Sequence, residues 1–156
     1  MATRIEATVT GGAGLAPQPG VERLRILVVD DAPSFLELTC LVLGSVEGVE
    51  VIATAVNGAE AIRAVLEHHP DVVLMDVDMP KMYGLVACSI VAMAYAGTRV
   101  VLMSAEDTPG LRAECAQAGA HAFLNKADLT AKFPSLAQDL EPSKGPPTTG
   151  PGRVAQ

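Results

Sequence analysis

Residues 72–80 read VVLMDVDMP, and residues 26–31 read ILVVDD. Each is a short apolar run that ends on carboxylates, Asp76 in the first and Asp30 with Asp31 in the second. Uninterrupted runs of this kind suit strands buried on both faces, and a helical pattern follows each one. Two further runs end on reactive groups: VVLMSA carries Ser104 and Ala105, and AFLNK carries Lys126. In a parallel sheet built from βαβ units, the carboxyl ends of all strands share one edge, where ligands bind. Carboxylates, a hydroxyl and an ammonium spread over about a hundred positions therefore converge there. The pocket they make suits a phosphoryl group and a divalent cation.

Working outward from these runs, the chain alternates strand and helix. Strands are expected at Leu24–Val29, Val49–Ala53, Val72–Met75, Arg99–Met103 and His121–Leu124. Pro33 suits the first turn of a helix, where its missing N–H costs nothing, and Phe35, Leu38, Leu41 and Val42 follow at the spacing of a buried face. Asn57 with Glu60 resembles a capping box, opening a helix that would bury Ala61, Ile62, Val65 and Leu66. Gly84 precedes a third helix, Thr108 or Pro109 starts the fourth and Gly119 ends it, and Asp128 is a good N-cap for the fifth. Five βα units in succession predict an α/β fold, a doubly wound parallel sheet with helices on both faces. The Gly- and Pro-containing residues 1–22 read as a flexible arm, 23–140 as the folded domain, and 141–156 (EPSKGPPTTGPGRVAQ) as a disordered tail.

Composition narrows the classes. The chain has 156 residues, enough for one core, and is 49% apolar but only 3% aromatic, so aliphatic side chains fill that core. A net charge of −7 argues against direct binding to nucleic acid or acidic membranes. Cys40, Cys88 and Cys115 are odd in number and never spaced as Cys-x-x-Cys, which predicts buried thiols rather than a disulfide framework or zinc site. No apolar segment reaches the roughly 20 residues of a membrane span, and the start lacks a secretory pattern, so a cytoplasmic location is expected.

The chemistry follows from the residue types. Asp30, Asp31 and Asp76, crowded together, repel one another unless a cation neutralises them, and an all-oxygen set with few protein ligands fits Mg²⁺. Ser104 can donate a hydrogen bond to a phosphoryl oxygen, and Lys126 can bring positive charge to the same group. A carboxylate can itself attack phosphorus, and Asp76, ending the central strand, is the candidate.

Taken in order, VVDD, MDVDMPKMYG, LMSA and FLNK resemble the receiver domain of two-component response regulators, over roughly residues 24–140. The resemblance implies a flavodoxin-like sheet of order 2-1-3-4-5, with Asp76 accepting a phosphoryl group from a sensor histidine kinase or histidine phosphotransfer protein. It implies Mg²⁺ held by Asp31, Asp76 and the carbonyl of Asp78, with Asp30 acting through water. Ser104, Ala105 and Lys126 would contact the phosphoryl group, and Phe123 would be an aromatic switch. A surface of helix four, strand five and helix five would then bind a downstream effector or a second copy. The resemblance makes the chain a phosphoacceptor signalling protein rather than an enzyme: a stand-alone receiver or relay intermediate, since no output domain is visible after residue 140.

Departures and alternatives are informative. Ala127 stands where many receivers carry proline, and KAD is similar to receivers that precede a helix-turn-helix output domain, which leaves a truncated DNA-binding regulator as one alternative. Tyr83 stands where Asp is common, and Asp78 and Glu106 add negative charge beside the pocket. DVD at 76–78 also resembles the nucleophile motif of haloacid-dehalogenase phosphohydrolases, but there the acidic pair comes last and here it comes first. A degenerate, unphosphorylated receiver is countered by the complete acid, Ser and Lys set. His68 and His69 read as groups favouring a helix C-terminus. Leu85–Ala96 is apolar nearly all round, which leaves a face free for a partner.

Overall fold

Five strands form one parallel sheet of order β2-β1-β3-β4-β5. They are β1 Leu24–Val29, β2 Val49–Ala55, β3 Val72–Asp76, β4 Arg99–Ser104 and β5 Ala122–Asn125. The helices that follow them are α1 Pro33–Gly44, α2 Gly58–His68, α3 Gly84–Ala94, α4 Pro109–Gln117 and α5 Leu129–Asp139, with a 3-10 turn at Lys126–Asp128. This computed structural model describes residues 22–80, 82–140 and 142. The expected arm (1–22, all but its last residue) and tail (141–156, all but Pro142) lie outside the described residues.

Alternate residues of each strand feed two cores. Leu27, Val29, Val73, Met75 and Leu102 pack under α2, α3 and α4, while Ile26, Val28, Leu74, Val101 and Met103 pack under α1 and α5. Both faces of β1, β3 and β4 are therefore covered, which is why their sequences show no polar alternation. Each fully buried Leu, Ile or Met side chain contributes about 1.5–3 kcal/mol of transfer free energy to this arrangement. The expected strands β2 to β5 each run one or two residues further at their C-terminal ends, because parallel pairing continues to Ala55, Asp76, Ser104 and Asn125.

The helix starts follow their caps. Asn57 Oδ1 accepts from Glu60 N at 2.9 Å, and Thr108 Oγ1 accepts from Leu111 N at 3.1 Å. Asp128 departs from expectation: its side chain makes no cap hydrogen bond, and instead meets Lys132 Nζ at 3.1 Å. The preceding 3-10 turn closes on Leu129, whose N–H bonds the Lys126 carbonyl.

Two expected helix faces need correction. On α1, Leu38 and Leu41 are exposed, and Thr39, Cys40 and Leu43 are buried in their place. On α2, Ala61 and Val65 are buried as expected, but Ala64 joins them and Leu66 faces out. Thr39, Cys40 and Ala64 are small, which lets these helices seat closely on the sheet, while Leu43 fills the space beside them. The α2 C-terminus is also satisfied differently: Arg25 on β1 donates to the carbonyls of His68 and His69, both at 2.7 Å, with His69 in the left-handed region at φ 48°. All three cysteines are buried and free. On α3, Val86, Ile90 and Met93 form an exposed apolar stripe, Met93 at 86% exposure.

Candidate functional site

The carboxyl ends of β1, β3, β4 and β5 assemble the site. Asp30 directly follows β1, and its N–H reaches the Ala55 carbonyl at 3.1 Å, which ties it to the sheet although the strand has ended. Its Oδ1 accepts from Ala32 N at 2.9 Å, turning the chain into α1 and leaving Asp31 exposed at the rim. Asp76 is the last residue of β3, nearly buried, with Oδ1 accepting from Asp78 N at 3.3 Å. Asp30, Asp31 and Asp76 each place one carboxylate oxygen within 4.8 Å of the others. The Asp78 side chain is exposed and stands outside that group.

Lys126 enters from the end of β5. Its Nζ lies 2.8 Å from Asp30 Oδ2 and 3.3 Å from Asp76 Oδ2. The 3-10 turn that carries it is held by Asn125, whose Oδ1 accepts from Ala127 N at 2.9 Å. Proline at 127 has no N–H to offer that bond, so Ala127 comes with its own turn anchor. The ammonium also sits 4.4 Å from the centroid of the Phe35 ring on α1. Phe35, expected only as a core side chain, is thus a wall of the site; nothing in its helical spacing distinguishes that use.

The electrostatics follow the burial. Desolvation pushes the Asp76 carboxyl up to about 6, with Lys126 pulling it down and Asp30 pushing the same way as burial. Burial works against the charged form of Lys126, yet its contacts with Asp30 and Asp76 raise it above the ordinary lysine range. Asp30 Oδ2 is fully buried, and Lys126 faces it at ion-pair distance without a well-directed hydrogen bond. A buried carboxylate oxygen in that condition, beside two more carboxylates, fits a small hard cation. Octahedral Mg²⁺ needs oxygens about 2 Å from the metal and so about 4 Å apart across it, close to the spread seen here.

Ser104 ends β4, buried, with its Oγ accepting from Glu106 N at 3.0 Å. Ala105, next to it, is exposed. Phe123 on β5 is half-buried, with the Arg112 guanidinium 4.8 Å from its ring centroid. Arg112 in turn grips Asp107 through two hydrogen bonds, of 2.6 and 2.8 Å. Sequence reading missed Arg112 and Asp107, which are ordinary surface charges until the fold brings them to Phe123. It also understated Gly84: a Cβ there would run into the carbonyl oxygen of Asp76, so only glycine lets α3 start this close to the site. That proximity is sealed by Gly84 N donating to Val77 O at 2.9 Å.

Comparison with known proteins matches residues 26–133 to the family described as the response regulator receiver domain. The chain is 38% identical over 102 residues to "Chemotaxis protein CheY" of Bacillus subtilis, covering 65% of this chain and 84% of that protein. It is 35% identical over 138 residues to "Probable transcriptional regulatory protein NarL" of Mycobacterium tuberculosis, covering 88% of this chain and 62% of that protein. Among solved structures, the signal receiver domain of NarL from M. tuberculosis superposes with a TM-score of 0.68 at 34% identity, covering 75% of this chain and 98% of that one. Phosphorylation and Mg²⁺ binding at an acidic pocket are general to this family. Among the described residues, no helix is long and apolar enough to cross a membrane.

Proposed function

The chain belongs to the response regulator receiver domain family, and from that premise we propose that Asp76 accepts a phosphoryl group from a sensor histidine kinase or histidine phosphotransfer protein. The observation that carries this reading is the position of Asp76: it ends the central strand, stands within 4.8 Å of Asp30 and Asp31 through their oxygens, and has Lys126 Nζ at 3.3 Å. A carboxylate oxygen of Asp76 attacks phosphorus, and the P–N bond of the donor breaks as the imidazole leaves with its electron pair. Lys126 meets the charge spread over the phosphoryl oxygens, and the Ser104 hydroxyl and Ala105 N–H supply hydrogen bonds to them. In this reading Asp31, Asp76 and the Asp78 carbonyl would hold Mg²⁺, with Asp30 acting through water, and the bound ion would supply positive charge beside the incoming phosphoryl group.

Drawing Ser104 and its loop towards the phosphoryl group frees space that Phe123 follows, and the surface of α4, β5 and α5 changes with it. That surface serves a downstream effector or a second copy of the chain. We take residues 23–140 as the acceptor module and residues 1–22 and 141–156 as its flanking segments. A cytoplasmic location accords with this reading, with three free thiols and a phosphohistidine donor.

Incubation with acetyl phosphate and Mg²⁺, followed by intact mass measurement, tests the assignment. A single phosphate adduct in the wild type, absent from Asp76→Asn, is expected. An adduct that persists in Asp76→Asn refutes the acceptor assignment. Catalytic turnover of a phosphate ester would instead favour the phosphohydrolase reading.

A further inference from the structure

The loop after Ser104 is tied to the start of α4, and through Arg112 it is linked to β5. Asp107 binds the Arg112 guanidinium through both carboxylate oxygens, at 2.6 and 2.8 Å. Arg112 lies on the first turn of α4, fixed by the Thr108 cap, so its reach is set by the helix start. Its guanidinium covers the Phe123 ring, with the ring centroid at 4.8 Å. One guanidinium therefore holds a carboxylate and sits over an aromatic ring. Arginine does both at once because its donors lie in plane and its π surface is free.

We propose that Arg112 is a positioning residue for Phe123, and that the clamp it makes with Asp107 sets how readily the loop after Ser104 moves towards a phosphoryl group on Asp76. The proposal rests on the reading of Asp76 and Phe123 given above. Asp107 lies three residues beyond Ser104, so drawing the loop inward pulls the carboxylate away from a guanidinium anchored on α4. Turning the Phe123 ring inward takes it out from under the same guanidinium. Both movements break contacts of one side chain, so the clamp stabilises the arrangement seen here and opposes the drawn-in one. A clamp of this kind acts on the population of states and leaves the reacting atoms untouched.

Linkage gives the test its form. A clamp that favours one arrangement by some factor must weaken binding of a phosphoryl mimic by that factor. Phe123 is replaced by 4-fluorophenylalanine in the full chain, and its fluorine spectrum is followed during titration with beryllofluoride at saturating Mg²⁺. In Arg112→Ala, the mimic-free signal is expected to move towards the mimic-bound position. The beryllofluoride midpoint should fall by the same factor, about two- to fivefold for one exposed stacked ion pair. Asp107→Asn should move both readouts the same way, and Arg112→Lys, which keeps the charge but loses the fork, should fall between it and the wild type. An unchanged signal and midpoint in Arg112→Ala overturn the proposal, even when the variant melts at a lower temperature. A wild-type ring that ignores beryllofluoride, while acetyl phosphate still marks Asp76, overturns the Phe123 switch and this proposal together but leaves the acceptor assignment standing.

Discussion

Replacing Asp76 with Asn should make the protein more stable in Mg²⁺-free buffer at pH 7.5, although it removes an ion-pair partner of Lys126. The Asp76 carboxyl is raised from 3.8 to about 6, chiefly by burial. A raised carboxyl favours protonation in the folded state, so the unfolded chain gains more from ionisation as pH increases. The resulting cost is absent below about pH 4, grows between the two values and is fully present above pH 6. At about 1.4 kcal/mol for each tenfold change, it reaches on the order of 3 kcal/mol. Asn carries no such cost, and the attraction of Lys126 is already contained in the raised value, so a net gain of the same order, about 1–3 kcal/mol, is expected. For a domain of this size that corresponds to roughly 3–10 °C in Tm. The gain should fall to about half at pH 5, where folded Asp76 is largely protonated while the unfolded carboxyl is not. Thermal unfolding of both proteins in EDTA at pH 5.0 and 7.5 reads these differences. A variant no more stable than the wild type at pH 7.5, or one whose advantage is the same at both pH values, refutes the reasoning.

Other perturbations probe the neighbouring contacts. Adding Mg²⁺ should raise the wild-type Tm by the logarithmic law for a ligand of the folded state, with a smaller effect in Asp76→Asn; equal effects on both in a thermal shift titration would argue against a site built on Asp76. Lys126→Ala leaves the buried Asp30 carboxylate, 2.8 Å from the lost ammonium, without its counter-charge; a loss of about 2–4 kcal/mol is expected in urea unfolding, largely restored by Mg²⁺. Gly84→Ala forces a methyl group against the Asp76 carbonyl and the Val77 backbone, and should cost about 2 kcal/mol while slowing labelling by acetyl phosphate. Met93→Glu, on the exposed face of α3, should change stability by less than about 0.5 kcal/mol in the same unfolding assay.

Much of the fold was readable because the strands are buried on both sides. Runs such as Val72–Met75 have no polar interruption, and Asn57, Thr108 and Pro33 mark helix starts through local chemistry that needs no tertiary context. Helix faces were less readable for an equally physical reason. α1 and α3 are apolar on nearly every side, so their periodicity does not say which side turns inward. Spacing alone puts Leu38 and Leu41 in the core, whereas Cys40 and Thr39 occupy it.

By itself the sequence determined the order of the strands' chemical endings, and with it which residues share the sheet edge: Asp30, Asp31, Asp76, Ser104 and Lys126. Strand polarity makes that a one-dimensional problem, since each βα unit returns the chain to the same edge. Only the tertiary structure decided how those groups meet. It set Lys126 nearer to Asp30 than to Asp76, brought Phe35 under the ammonium, pressed Gly84 against the Asp76 carbonyl and laid Arg112 over Phe123. These are contacts between elements far apart in the chain. Their distances depend on how closely each helix seats on the sheet, which the volumes of small core side chains control and no local pattern encodes.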